Sequence, residues 1–114
     1  MSKYIVNSEQ VADSLVLLVS SDHIDASNVA DFRAQSAPLA QSSNKVILDL
    51  TGVNFIDSAG LGSILSIMRG IGERGGDFRV CCVSKPIRVL FELVRLHKIL
   101  DIHDTREEAL AARK

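Results

Sequence analysis

Tryptophan is absent and aromatic residues make up only 4% of the chain, so its core must be aliphatic. An excess of either charge is also missing: thirteen Lys and Arg against fourteen Asp and Glu leave a net charge of −1. A nucleic-acid-binding domain would carry a basic excess and a polybasic membrane anchor a basic cluster, so neither partner is expected. No run approaches 18 uninterrupted apolar residues, which argues against membrane insertion. The stretch Met1 to Asn7 lacks the apolar segment of a secretory signal, and a cytoplasmic location is the expectation. Three histidines and two cysteines offer little material for a metal site, and neither a metal nor a cofactor is expected. The cysteines, Cys81 and Cys82, are adjacent, so a bridge between them would close a small, strained ring. On a strand they would point to opposite faces, as small buried hydrophobes in a reducing compartment.

What is present fits one core. The 114 residues, 12.4 kDa, are enough to bury roughly 60–70% of the unfolded surface, and residues 1–114 read as a single domain. Leu15 to Val19, Val46 to Leu50 and Phe78 to Val83 are apolar runs of strand length, as in strands covered on both faces. Tyr4 to Val6 adds a short edge strand. Helical spacing fills the intervals. Val29, Phe32, Ser36 and Leu39 form one stripe, with alanines from Ala26 to Ala40 around it. Leu61, Ile64, Leu65 and Met68 form a second, widened by Ile67 and Ile71. Ile87, Leu90, Phe91 and Val94 form a third, opened by Pro86. Arg106 to Ala112 reads as a terminal helix capped by Asp104 or Thr105. Gly72, Gly75 and Gly76 end the second helix. The expectation is an α/β fold, a mixed and mostly parallel sheet of four to five strands with about four helices.

The most unusual segment is Val46-Ile47-Leu48-Asp49-Leu50-Thr51-Gly52-Val53-Asn54-Phe55-Ile56-Asp57-Ser58-Ala59-Gly60-Leu61-Gly62. Here a strand runs through a loop into a helix start. Glycine in a helix costs about 1 kcal/mol relative to alanine, so Gly60 and Gly62 point to another group approaching closely. Several readings of Ser58 compete. In the first, Asp57 or Ser58 serves only as an N-cap. A nucleophile elbow would need glycine where Ile56 stands, and His23, His97 and His103 suggest no triad. A phosphate cradle lacks its lysine, and Asp57 would repel the ligand. A phosphorylated Ser58 fits the exposed hydroxyl of a helix N-terminus, where the dipole tolerates added negative charge.

This segment, centred on Asp57-Ser58-Ala59-Gly60-Leu61-Gly62, resembles the STAS domain of anti-sigma-factor antagonists. The likeness covers nearly the whole chain. It takes in Ile24-Asp25-Ala26-Ser27-Asn28 before the first helix, Gly76 to Pro86, and a closing strand and helix from Leu100 to Ala109. The resemblance implies a bacterial partner switch rather than an enzyme. The unphosphorylated antagonist, monomeric when free, binds an anti-sigma factor that is also a serine kinase; phosphorylation ejects it, and a PP2C-type phosphatase resets the cycle. It places the acceptor at Ser58 and partner contacts at Asp25, Asp57, Ser58, Gly60 and Gly62, with Asn54 and Ser63 as lesser candidates. Asp22 stands where the family usually has glycine, adding a carboxylate near the docking face. The alternatives are a STAS subunit of a transport-related complex and a small serine hydrolase.

Overall fold

Val16, Leu17, Ile47, Leu48, Val80 and Cys81 are all buried, which requires cover on both sides of the strands that carry them. The computed structural model, which describes residues 4–112, supplies that cover. In chain order its elements are β1 (Val6–Val11), β2 (Ser14–Val19), β3 (His23–Ile24), α1 (Val29–Gln41), β4 (Lys45–Asp49) and β5 (Phe55–Ile56). They continue with α2 (Ser58–Glu73), β6 (Asp77–Cys81), α3 (Lys85–Leu93), a 3-10 turn (Leu96–Lys98), β7 (Asp101–His103) and α4 (Arg106–Ala111). Five strands make one sheet in the order β1-β2-β4-β6-β7. Only the β1–β2 pairing is antiparallel. The architecture is therefore the mixed, mostly parallel α/β arrangement read from the sequence.

Phe32 of α1, Ile64 and Ile71 of α2, and Phe91 of α3 bury against Leu17, Leu48 and Val80 on one face of the sheet. The other face carries a smaller cluster, Val16, Ile47 and Cys81, covered by Ala109 of α4. This short helix is held electrostatically as well. Arg106 donates to the buried Asp49 carboxylate from Nη2 at 3.0 Å and Nε at 3.2 Å, and to Glu9 of β1 at 3.2 Å. The Thr51 hydroxyl and amide also donate to Asp49, at 2.6 and 2.9 Å. Burial alone would push the Asp49 carboxyl up, but Thr51 and Arg106 together hold it below the usual carboxylate value.

Several boundaries differ from the sequence reading, each for a local reason. The edge strand is Val6–Val11, not Tyr4 to Val6. Its residues Asn7 to Gln10 are exposed, so no apolar alternation marks it. The hairpin to β2 turns at Ala12, whose φ is 55°. The strand read to Val83 ends at Cys81, because Cys82 adopts a left-handed φ of 62°. That turn breaks the alternation that would have separated the two thiols. Their sulfurs and an Asp49 carboxylate oxygen lie within 4.8 Å of one another. Burial and the Asp49 charge push the Cys81 thiol far up, which keeps it protonated and poorly nucleophilic. Thr105, not Asp104, caps α4, its hydroxyl accepting from the Glu108 amide at 3.1 Å.

Candidate functional site

Two strands too short to show any periodicity organise the site. His23 pairs with Phe55 and Ile24 with Ile56, in a parallel ribbon separate from the main sheet. Each strand leads directly into the approach to a helix, β3 towards α1 and β5 into α2. The ribbon thus sets two helix starts side by side.

Asp57 ties them together. It is the N-cap of α2, in extended conformation, and its Oδ1 accepts from the Gly60 amide at 2.9 Å. Its Oδ2 accepts from the Ala26 amide, in the loop before α1, at 3.0 Å. Gly60 is needed for this closeness. A Cβ there would overlap the Ile24 carbonyl oxygen, lie 2.9 Å from the carbonyl carbon and 3.0 Å from the Ile56 methyl Cγ2. Gly62 differs from that expectation. A Cβ there would meet only the Arg33 guanidinium, at 3.9 Å, so no backbone approach demands glycine.

Ser58, the first residue of α2, is exposed on this firm support. Asp25 does not cap α1; that position belongs to Asn28. Asp25 Oδ1 instead accepts from the Ser27 amide at 2.9 Å and the Ser27 hydroxyl at 2.5 Å. The Ser27 hydroxyl is the main cause holding the Asp25 carboxyl low, against some desolvation. Asn28 closes the loop from the other side, accepting from the Asp25 amide at 2.9 Å and donating to the His23 carbonyl at 2.9 Å.

Asp22 and His23 complete the rim. The Asp22 carboxylate lies 2.7 Å from His23 Nδ1, and its carbonyl accepts from the Asn54 amide at 2.8 Å. The Asp22 hydrogen bond raises the His23 pKa against desolvation, with lesser help from the charges of Asp25 and Asp22. His23 Nε2 also lies 3.3 Å from the Ser27 hydroxyl. Asp22, His23 and Ser27 therefore form a hydrogen-bonded series that sequence spacing did not reveal. It has the residue types of a hydrolytic triad, but the Ser27 hydroxyl donates to Asp25, so His23 does not take up its proton. The nearby apolar element missed by sequence reasoning is Phe55, which is exposed in β5. Its strand is two residues long and gave no pattern to separate it from a core residue.

Of the lesser candidates, Ser63 is buried and donates to the Gly60 carbonyl at 2.6 Å, a helix-packing role. Asn54 is exposed and joins the site through its amide. A groove of about 250 Å³ lies between α1 and α2, lined in part by Ser36, Ala37, Ser63 and Gly70, and it includes neither Asp57 nor Ser58. Among the described residues, the group that comes nearest to a ligand set for a metal is Asp49 with Cys81 and Cys82, where both Asp49 oxygens already accept hydrogen bonds. No helix of the described residues is long and apolar enough to cross a membrane.

The arrangement can present a hydroxyl, with acidic neighbours, to a partner protein. Over 65 residues the chain is 38% identical to the anti-sigma F factor antagonist of Paenibacillus polymyxa, a match covering 57% of this chain and 56% of the relative. The aligned part thus spans little more than half of that relative's length. Against the anti-sigma-B factor antagonist of Listeria monocytogenes it is 27% identical over 97 residues, covering 77% of this chain and 85% of that one. A crystal structure of an anti-sigma factor antagonist from Mycobacterium paratuberculosis superposes with a TM-score of 0.80 at 26% identity, covering 92% of this chain and 89% of that one. The STAS domain family model matches residues 6–109, nearly the whole length, and the chain belongs to that family.

Proposed function

We propose that this protein is an anti-sigma-factor antagonist gated by phosphorylation of Ser58. The observation that carries this reading is the exposed Ser58 hydroxyl at the start of α2, on a loop fixed by both oxygens of Asp57. A kinase needs an accessible hydroxyl held on a firm scaffold, and this junction supplies one. The partner is an anti-sigma factor with serine-kinase activity, docking over Asp25, Asp57, Ser58, Gly60 and Gly62. Transfer forms a bond between Ser58 Oγ and the γ-phosphorus of ATP and breaks the bond to the bridging oxygen, releasing ADP. The hydroxyl proton passes to a base of the kinase. A PP2C-type phosphatase returns the serine by hydrolysis, with water supplying the oxygen of the released phosphate.

The added charge, roughly −1.5 to −2 at pH 7, arrives beside Asp57 and Asp25. A partner surface matched to the unmodified face then meets like-charge repulsion and a strongly hydrated group it must desolvate, and the complex separates. The domain itself performs no chemistry in this scheme.

Incubation with the cognate kinase and ATP, followed by mass spectrometry, tests the assignment. One phosphate on Ser58, absent from Ser58→Ala, is the expected result. Equal modification of Ser58→Ala at another residue overturns it. In calorimetry, Ser58→Asp should bind the kinase more weakly while keeping its fold; unchanged affinity contradicts the gate.

A further inference from the structure

Gly62 poses a question that packing does not answer. Nothing in the fold requires glycine there, and the nearest atom to a would-be Cβ is Nη2 of Arg33, at 3.9 Å. Arg33 projects from α1, is exposed, and makes no hydrogen bond or ion pair among the described residues. Its guanidinium therefore lies against the bare backbone of α2 at position 62, held by no carboxylate.

Position 62 is one helical turn from Ser58. Residues i and i+4 share a helix face, with roughly 6 Å between their Cβ positions. Helical side chains lean towards the N-terminus, so a side chain at position 62 would occupy the path between Arg33 and Ser58. Glycine leaves that path open.

We infer that Arg33 is the intramolecular receptor for a phosphate on Ser58, reached across the open surface at Gly62. This rests on Ser58 being the acceptor, as proposed above. Guanidinium suits the role because its planar fork matches two phosphate oxygens, and because it stays charged at any physiological pH. The three remaining acidic neighbours, Asp22, Asp25 and Asp57, cannot hold a phosphate, and His23 is already engaged by Asp22 and Ser27. Before modification Arg33 extends the docking face as a free cation. Afterwards it is turned inwards on the phosphate, so one transfer removes a positive group from the surface as well as adding a negative one. Arg33 acts as a positioning residue and takes no part in the transfer.

The test uses the full chain with phosphoserine installed at position 58 during translation, which needs no kinase. ³¹P NMR then follows the second ionisation of the phosphate at low salt, where an exposed ion pair is least screened. Asp22, His23, Asp25 and Asp57 are unchanged across the series, so only the residue at position 33 differs. The expected result is a phosphate pKa higher by about half a unit in Arg33→Met than in the parent, restored in large part by Arg33→Lys. Identical pKa values in parent and Arg33→Met, with both folded by circular dichroism, overturn the inference. Kinase labelling of the unmodified parent is scored separately. Failure there removes Ser58 as the acceptor, whereas equal ³¹P titrations remove only Arg33 as its receptor.

Discussion

The Asp57 carboxylate and the Ala26 amide, separated by 31 residues of sequence, are joined by a 3.0 Å hydrogen bond. The other oxygen of the same carboxylate caps α2 through Gly60. One side chain therefore locks the loop before α1 to the start of α2. Asp57→Ala should cost about 1–2 kcal/mol, the range for losing an N-cap, and should speed amide exchange at Ala26 as well as Gly60. Asp57→Asn keeps one acceptor and should protect only one of the two amides. Urea unfolding with hydrogen exchange by NMR checks both outcomes.

The two glycines at the start of α2 should respond oppositely to alanine. Gly60→Ala forces a Cβ onto the Ile24 carbonyl, so the helix start must move away from β3. A loss of roughly 2 kcal/mol or more is expected, in the range of overpacked core sites. Gly62→Ala meets only Arg33 at ordinary contact distance and should gain up to about 1 kcal/mol from helix propensity. Thermal or urea unfolding of the pair decides.

His23 should titrate above the ordinary histidine value of about 6.5, because Asp22 and then Asp25 favour its protonated form. Its contribution to stability is fully present below that ordinary value and is lost as pH rises through the higher, folded one. Asp22→Asn removes the main partner and should bring the pKa back down. Heteronuclear NMR of the imidazole measures the shift directly.

On the opposite face of the sheet, Arg106→Met leaves the buried Asp49 carboxylate with Thr51 alone. The loss should be about 3 kcal/mol, at the low end for a buried pair because Arg106 keeps some exposure. The sign with pH follows from the depressed Asp49 value. Its stabilising contribution is complete above about 3.9, the unfolded carboxyl value, and disappears as pH falls through the folded one. Acid unfolding of Arg106→Met should begin at higher pH than that of the parent.

The residues whose burial comes from strand and helix periodicity were readable in advance. Leu15 to Val19, Val46 to Leu50 and the stripe from Leu61 to Ile71 each repeat a pattern several times, and each forms the element that the pattern predicts. The Asp57 cap and the close approach at Gly60 were also legible, because only a few residue types satisfy either. What escaped is built from too few residues to repeat. His23–Ile24 and Phe55–Ile56 are two-residue strands whose pairing depends on residues far apart in the chain. Arg33 above Gly62 is likewise a meeting between elements, whereas His23 between Asp22 and Ser27 lies within one short segment that no regular spacing marks. Cys82 escaped for a different reason, since its left-handed backbone leaves no mark in side-chain pattern.

The ribbon of β3 and β5 also bears on when the protein can be read by a partner. Its strands are separated by the whole of α1 and β4, so neither exists as a partnered strand until the intervening chain has folded between them. During synthesis, Ser58 leaves the ribosome as an ordinary serine in a flexible segment, without the Ala26 loop beside it. The surface a kinase would recognise comes into being only with the finished architecture. Under the proposed gating at Ser58, immature or damaged copies would be silent, and the signal would count folded molecules alone.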